Sequence, residues 1–142
     1  QSHEDNPMSE EGITLGIMLF FDPILSKDSS ISCGSCHQPK LAFTDGKAFS
    51  TGFHGQKSKR SAMSLVNLLW SKQFFWDGRS ASLEEQALIP IEDPTEMNLK
   101  LSEASRRLQA TAHYPRLFKK AFGSKKITSE NCRRRKTALS FN

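Results

Sequence analysis

Apolar positions crowd into one early stretch of the chain and thin out after it. Ile13, Leu15, Ile17, Met18, Leu19, Phe20 and Phe21 follow Ser9, Glu10 and Glu11. Serine suits a helix N-cap, and acids in the first turn suit the positive end of the helix dipole, so this pattern predicts a helix stopped by Asp22 and Pro23. Its apolar residues are dense enough to predict burial on most sides rather than along one stripe. Residues 23 to 59 then hold neither a helical nor a strand period, and Gly, Ser, Asp and Pro recur throughout. A stretch that long without its own core needs something to order it.

Short helices are predicted beyond it. Ser64 to Trp70 reads as one, with a serine cap, and an aromatic cluster broken by a turn follows from Phe74 to Arg79. Ser82 with Glu85 forms a capping box for a helix through Leu88, which Pro90 ends before an irregular segment over 91 to 97. Ser102 opens a helix through Ala104, Leu108 and Ala112, interrupted near Pro115 and resumed to Gly123. Thr128 or Ser129 caps a last helix whose apolar period fails over Asn131 to Lys136. No stretch reads as a convincing strand, and no repeat has a fixed period. The expected fold is all-α, with short helices and long irregular loops. Its expected organisation is a lead over 1–12, one domain over 13–124 and a basic tail over 125–142, truncated or altered relative to a longer parent.

The irregular stretch contains Cys33, Gly34, Ser35, Cys36 and His37, a C-x-x-C-H pattern. Two cysteines so spaced can each add a thiol to a haem vinyl group, and the histidine that follows then lies against the iron. Gly34 and Ser35 are small enough for the porphyrin edge to approach the backbone. Zinc would require a second clustered pair of ligands. Cys132 instead stands alone, and His3, His54 and His113 are scattered. A thioredoxin-like dithiol would need a strand before the motif and a helix after it, whereas Pro39 follows almost at once. The 37% hydrophobic content is low for 142 residues, and a buried porphyrin supplies apolar surface.

The formal charge of +5 is confined to the end of the chain. Residues 125 to 142 carry six basic side chains against Glu130, and the first 124 balance 14 of each sign. No aromatic residues interleave with the basic ones, which argues against nucleic-acid binding. The longest apolar run, Ile17 to Phe21, is far short of the ~20 residues of a membrane span. Covalent haem is attached outside the bacterial cytoplasm, so the expected compartment is the periplasm.

His37 is the proximal ligand on this reading. What closes the sixth position decides between carrying electrons and activating an oxidant. Met63, Met97, His54 and His113 are candidates, with His54 the candidate distal ligand in its Gly52-Phe53-His54-Gly55 loop. Glu96, after Pro94 and Thr95, is suited to taking a proton from a peroxide and returning it to the departing oxygen, although it is one of fifteen acids. Gln86 is a candidate to orient it. Trp76 is either core or a stepping stone for electrons, and Arg60 and Arg79 suit haem propionates.

With these residues in view, the chain resembles the N-terminal domain of bacterial di-haem cytochrome c peroxidases. The resemblance runs through Leu15-Gly16, Leu19-Phe20-Phe21-Asp22, the haem motif with Pro39, Ala42-Phe43-Thr44-Asp45-Gly46, Ser50, Gly52, Arg60, Asn67, Phe75-Trp76-Asp77-Gly78-Arg79, Glu85-Gln86, Pro90-Ile91 and Glu96-Met97. It implies a cytochrome c-like domain holding the peroxidatic haem c, with Glu96 as catalytic glutamate, Gln86 as its pocket partner and Trp76 between two haems. It also implies reduction of hydrogen peroxide with electrons from a small cytochrome c or cupredoxin, and homodimerisation of a full-length parent. A second haem domain and a calcium ion between the domains are implied as well, yet this chain holds no second C-x-x-C-H. Phe53 stands where the family often has histidine, with His54 one step later, which favours an iron open at rest. Ser61 replaces the usual asparagine of the calcium site. The other readings are a mono-haem electron carrier and a related di-haem enzyme that oxidises side chains of a partner protein.

Overall fold

The computed structural model describes residues 9–66, 68, 75, 80 and 83–136. Trp76 and Arg79 lie outside the described residues, as do Asn67, Leu69 and Trp70 of the predicted 64–70 helix and Ser82 of the predicted capping box.

Helix α1 spans Glu10–Phe21. Ser9 caps it, its Oγ accepting from the Gly12 amide at 3.1 Å. At the other end Asp22 stops α1 and opens a 3-10 turn over Pro23–Leu25, accepting from the Ile24 amide through Oδ1 at 2.9 Å. The helix is more one-sided than its composition predicts. Leu15, Leu19 and Phe20 are buried, whereas Ile17 (39%), Met18 (37%) and Phe21 (44%) remain exposed. At 100° per residue these three share a face.

Helix α2 is a single turn, Cys33–Cys36. Beyond it the chain is irregular, with 3-10 turns over Pro39–Leu41 and Phe53–Gly55 and isolated bridges between Gln38 and Thr44 and between Thr51 and Lys57. Residues 64–66 are not helical. Ser64 spends its hydroxyl on the Ala42 carbonyl at 2.6 Å, a contact across 22 residues.

Two more single turns follow, α3 over Leu83–Gln86 and α4 over Ile89–Glu92. Pro90 therefore sits in the first turn of α4 instead of ending a helix, a position where its missing N–H has no partner to lose. Helix α5 covers Leu101–Ala110 and begins one residue before Ser102. Its cap is tertiary: the Leu101 amide donates to Glu92 Oε1 at 3.2 Å.

Helix α6, Tyr114–Phe122, has Pro115 in its first turn and ends at Gly123, whose φ of 76° is a conformation glycine adopts without penalty. Helix α7 is Ser129–Lys136. Helices α1, α5, α6 and α7 pack on one another. Their core contains Leu15, Leu19, Leu108, Tyr114 and Phe118, joined by Leu88, Ile91, Met97 and Leu99. Ile127 and Cys132 belong to the same core. Packing thus runs past residue 124, carried by Cys132 on α7 and by Ile127 just before it. The fold is mostly helical, and the described residues form no sheet.

Candidate functional site

Cys33 and Cys36 occupy the ends of α2, three residues apart, a spacing that puts two side chains on one face of a helical turn. Ser32 and Ser35 hold the turn reciprocally, the Ser32 amide donating to Ser35 Oγ at 3.0 Å. Neither cysteine is in a disulfide. Burial and then the charges of Asp45 and Glu96 push the Cys36 thiol up to about 11.

His37 terminates α2. Its Nδ1 lies 2.9 Å from the Phe43 carbonyl oxygen and 3.0 Å from that of Met63. Both partners accept, so Nδ1 carries the proton and Nε2 keeps its lone pair for a metal. Burial pulls the imidazole below its usual range, against the opposing effect of the two carbonyls, which also keeps the ring neutral. Phe20 packs beside it, ring centroids 6.3 Å apart.

The Phe43 carbonyl gets there through two successive left-handed residues, Ala42 at φ 53° and Phe43 at φ 58°. Such a conformation costs a non-glycine residue about 1–2 kcal/mol. The loop is held by reciprocal hydrogen bonds of Gln38 with Phe43 and Thr44, each 2.9 Å.

Glu96 sits on the turn after α4. Asp93 organises that turn, its Oδ1 accepting from the Thr95 amide and hydroxyl at 2.7 Å each, and its carbonyl accepting from the Glu96 amide at 3.0 Å. A second strand of chain closes on the turn from outside: the Phe53 amide donates to the Glu96 carbonyl at 2.7 Å. Two residues before Phe53, Thr51 presents its carbonyl 3.8 Å from Cys36 Sγ. Segment 51–53 thus touches the haem-attachment turn at one end and Glu96 at the other.

The remaining predicted residues are less convergent. Gln86 is half-buried at the end of α3, and Arg60 is exposed. His54 is stacked on Phe53, and its exposed ring turns Nε2 toward Asp28 Oδ2 at 3.7 Å. Met97 is core, 4% exposed. Met63 lends its carbonyl to His37 Nδ1, which puts it on the proximal side. Asp45, the Phe43 and Met63 carbonyls and segment 51–53 were not singled out from sequence as site residues. Asp45-Gly46 entered only as part of the family resemblance, and main-chain carbonyls leave no signature at all.

The donor set fits a c-type haem: two thiols on one turn and an imidazole with Nε2 available. The buried hydroxyl of Ser50, next to Thr51, has no hydrogen-bond partner among the described residues, so it is open to a polar group outside the chain. Among the described residues no three His, Cys, Asp or Glu side chains gather to hold a metal ion, so calcium gains no support. No described helix is long and apolar enough to cross a membrane.

Comparison with known proteins agrees with this geometry. A crystal structure of a MauG-like protein associated with microbial copper homeostasis superposes with a TM-score of 0.87 at 38% identity, covering 96% of this chain and 41% of that one. The methylamine utilization protein MauG of Methylorubrum extorquens is 44% identical over 119 residues, 84% of this chain and 34% of that protein. Cytochrome c551 peroxidase of Nitrosomonas europaea is 39% identical over 122 residues, 86% of this chain and 36% of its own length. The chain spans about a third of the length of such curated relatives. The family model described as di-haem cytochrome c peroxidase matches residues 10–139, and the chain belongs to that haem-binding oxidoreductase family.

Proposed function

We propose that this chain is the peroxidatic haem domain of a periplasmic di-haem peroxidase. The reaction is reduction of hydrogen peroxide to two waters, taking up two electrons and two protons. The electrons come from a small cytochrome c or cupredoxin by way of a second haem domain. Cys33 and Cys36 would hold haem c covalently, His37 Nε2 would be its proximal ligand, and Arg60 and Arg79 would pair with its propionates. When bound, the haem supplies the electron-transfer chemistry that splits the O–O bond.

The protein's own part is proton handling. A Glu96 carboxylate oxygen accepts the proton of the peroxide oxygen nearer the metal and returns it to the departing oxygen, so that water leaves instead of hydroxide. Gln86 would orient the pair, and Trp76 would pass electrons to it. His54, engaged with Asp28, leaves the pocket to peroxide. The observation that carries the reading is that segment 51–53 links Glu96, through the Phe53 amide at 2.7 Å, to Cys36, 3.8 Å from the Thr51 carbonyl. Glu96→Gln is expected to keep full haem content and to slow peroxide reduction by about 10²–10⁴-fold. An unchanged rate would remove Glu96 from the mechanism.

A second reading, a di-haem enzyme that oxidises side chains of a partner protein, is favoured by one observation. Identity to the methylamine utilization protein MauG, 44%, exceeds identity to the Nitrosomonas peroxidase, 39%. Turnover of peroxide with a reduced cytochrome or cupredoxin alone supports the first reading. Peroxide consumption only when a protein substrate is present supports the second.

A further inference from the structure

We propose that Gly52 is a positioning residue for Glu96, acting through the backbone of the turn that carries it. This rests on the proton-transfer role given to Glu96 above. At φ −103° and ψ −155° Gly52 is in extended backbone, which other residues adopt freely, so glycine is not needed for its conformation. It is needed for space. A Cβ at this position would collide with the Thr95 carbonyl oxygen and stand 2.9 Å from the Glu96 Cα. Both obstacles are main chain, which cannot swing aside as the end of a side chain would.

The close approach allows the Phe53 amide to donate to the Glu96 carbonyl at 2.7 Å. It also makes segment 51–53 a bridge of fixed thickness between Cys36, 3.8 Å from the Thr51 carbonyl, and Glu96. The Asp93 carboxylate also holds the turn, accepting from Thr95 Oγ1 and the Thr95 amide. The two clamps together set how far the Glu96 carboxylate stands from the haem-attachment turn. A misplacement of about 1 Å at such a distance can cost about 10²-fold in rate.

Gly52→Ala forces the 51–53 segment and the Glu96 turn apart. In the haem-loaded protein the expected result is unchanged haem content, loss of hydrogen-exchange protection at the Phe53 amide, and a fall of about 10–100-fold in the second-order rate with peroxide. The acid limb of the pH–rate profile moves as well, because the environment of the Glu96 carboxylate has changed. The double variant Gly52→Ala/Glu96→Gln is expected to be no slower than Glu96→Gln alone, since the glycine acts only through the carboxylate. Should Gly52→Ala fail to take up haem, Thr95→Val loosens the same turn more gently. It removes one of the two donors to Asp93, and a shifted pH profile with a several-fold slower rate supports the proposal equally. Wild-type rate and pH profile in whichever variant loads haem, while Glu96→Gln is impaired, overturns the role of Gly52. A Glu96→Gln that reacts normally overturns the underlying reading instead.

Discussion

The imidazole of His37 donates Nδ1–H to the carbonyl oxygen of Phe43 at 2.9 Å, and that carbonyl is delivered by two consecutive left-handed residues, Ala42 and Phe43. Backbone strain is thus spent on the orientation and tautomer of the imidazole that follows the Cys33–Cys36 turn. Ala42 is exposed, so its conformation can be tested without disturbing packing. Ala42→Val is expected to destabilise the haem-loaded protein by about 1–2 kcal/mol in urea denaturation, because a β-branched side chain tolerates left-handed φ worse than alanine does. Ala42→Gly is expected to be neutral or stabilising by up to about 1 kcal/mol. Equal effects of the two substitutions would show that the strain is absent.

Tyr114 is wholly buried, and its hydroxyl donates to Asp22 Oδ2 at 2.6 Å. The other carboxylate oxygen caps the turn after α1, so one side chain joins α6 to the end of α1. Tyr114→Phe is expected to cost about 1.5–3 kcal/mol, the range for a hydrogen bond to a charged group. Burial, reinforced by Asp22, raises the phenol well above its ordinary 10. The folded state therefore stays protonated at a pH where the unfolded chain ionises. Stability is full below about pH 10 and falls as pH rises beyond it. Alkaline denaturation of Tyr114→Phe should lack that dependence, and an identical alkaline limb would refute the assignment.

Arg107 links α5 to the loop beneath the Glu96 turn. Its guanidinium donates to the Ser26 and Lys27 carbonyls at 2.9 Å each and to Glu103 Oε1 at 3.0 Å, and the Lys27 amide in turn donates to the Met97 carbonyl. Lysine cannot reproduce that fork. Arg107→Lys is expected to speed hydrogen exchange at the Lys27 amide by at least about tenfold, with exchange in α1 unaffected. Hydrogen bonds from Arg106 and then Arg107 hold Glu103 down at about 2. Its contribution is present above the ordinary 4.5 and is lost as pH falls toward 2. Glu103→Gln should flatten stability across that window, as read from acid titration followed by circular dichroism.

Gly34 in the haem-attachment turn faces the Phe21 ring, and a Cβ there would come 2.7 Å from Cε1. Gly34→Ala is expected to lower stability by about 1 kcal/mol, a modest cost because the half-exposed ring can turn aside. In the Phe21→Leu background the same substitution should cost little. A double-mutant cycle with no coupling would separate the two residues.

Local signals in the sequence were sufficient for some elements and silent on others. Ser9 with Glu10 and Glu11 announced α1, because capping and the helix dipole act within one turn. The start of α5 was misread at Ser102, because its cap is Glu92, nine residues earlier in the chain. Pro90 was read as a terminator when it opens a turn, since proline fits both places and only the partner of the preceding carbonyls decides. The C-x-x-C-H residues and Glu96 stand out in the sequence as residue types. The frame that brings them together was not: the Phe43 carbonyl on His37 and the Gly52 contact with Glu96 are main-chain relationships with no compositional trace.

The most direct measurement is the absorption spectrum of the haem-loaded protein titrated with stoichiometric hydrogen peroxide, wild type and Glu96→Gln side by side. The expected result is equal haem content and matching resting spectra, a rapid peroxide-induced change in the wild type, and a change at least about 10²-fold slower in the variant. A wild type indifferent to peroxide, or two proteins that respond at the same rate, would contradict a peroxidatic domain worked by Glu96.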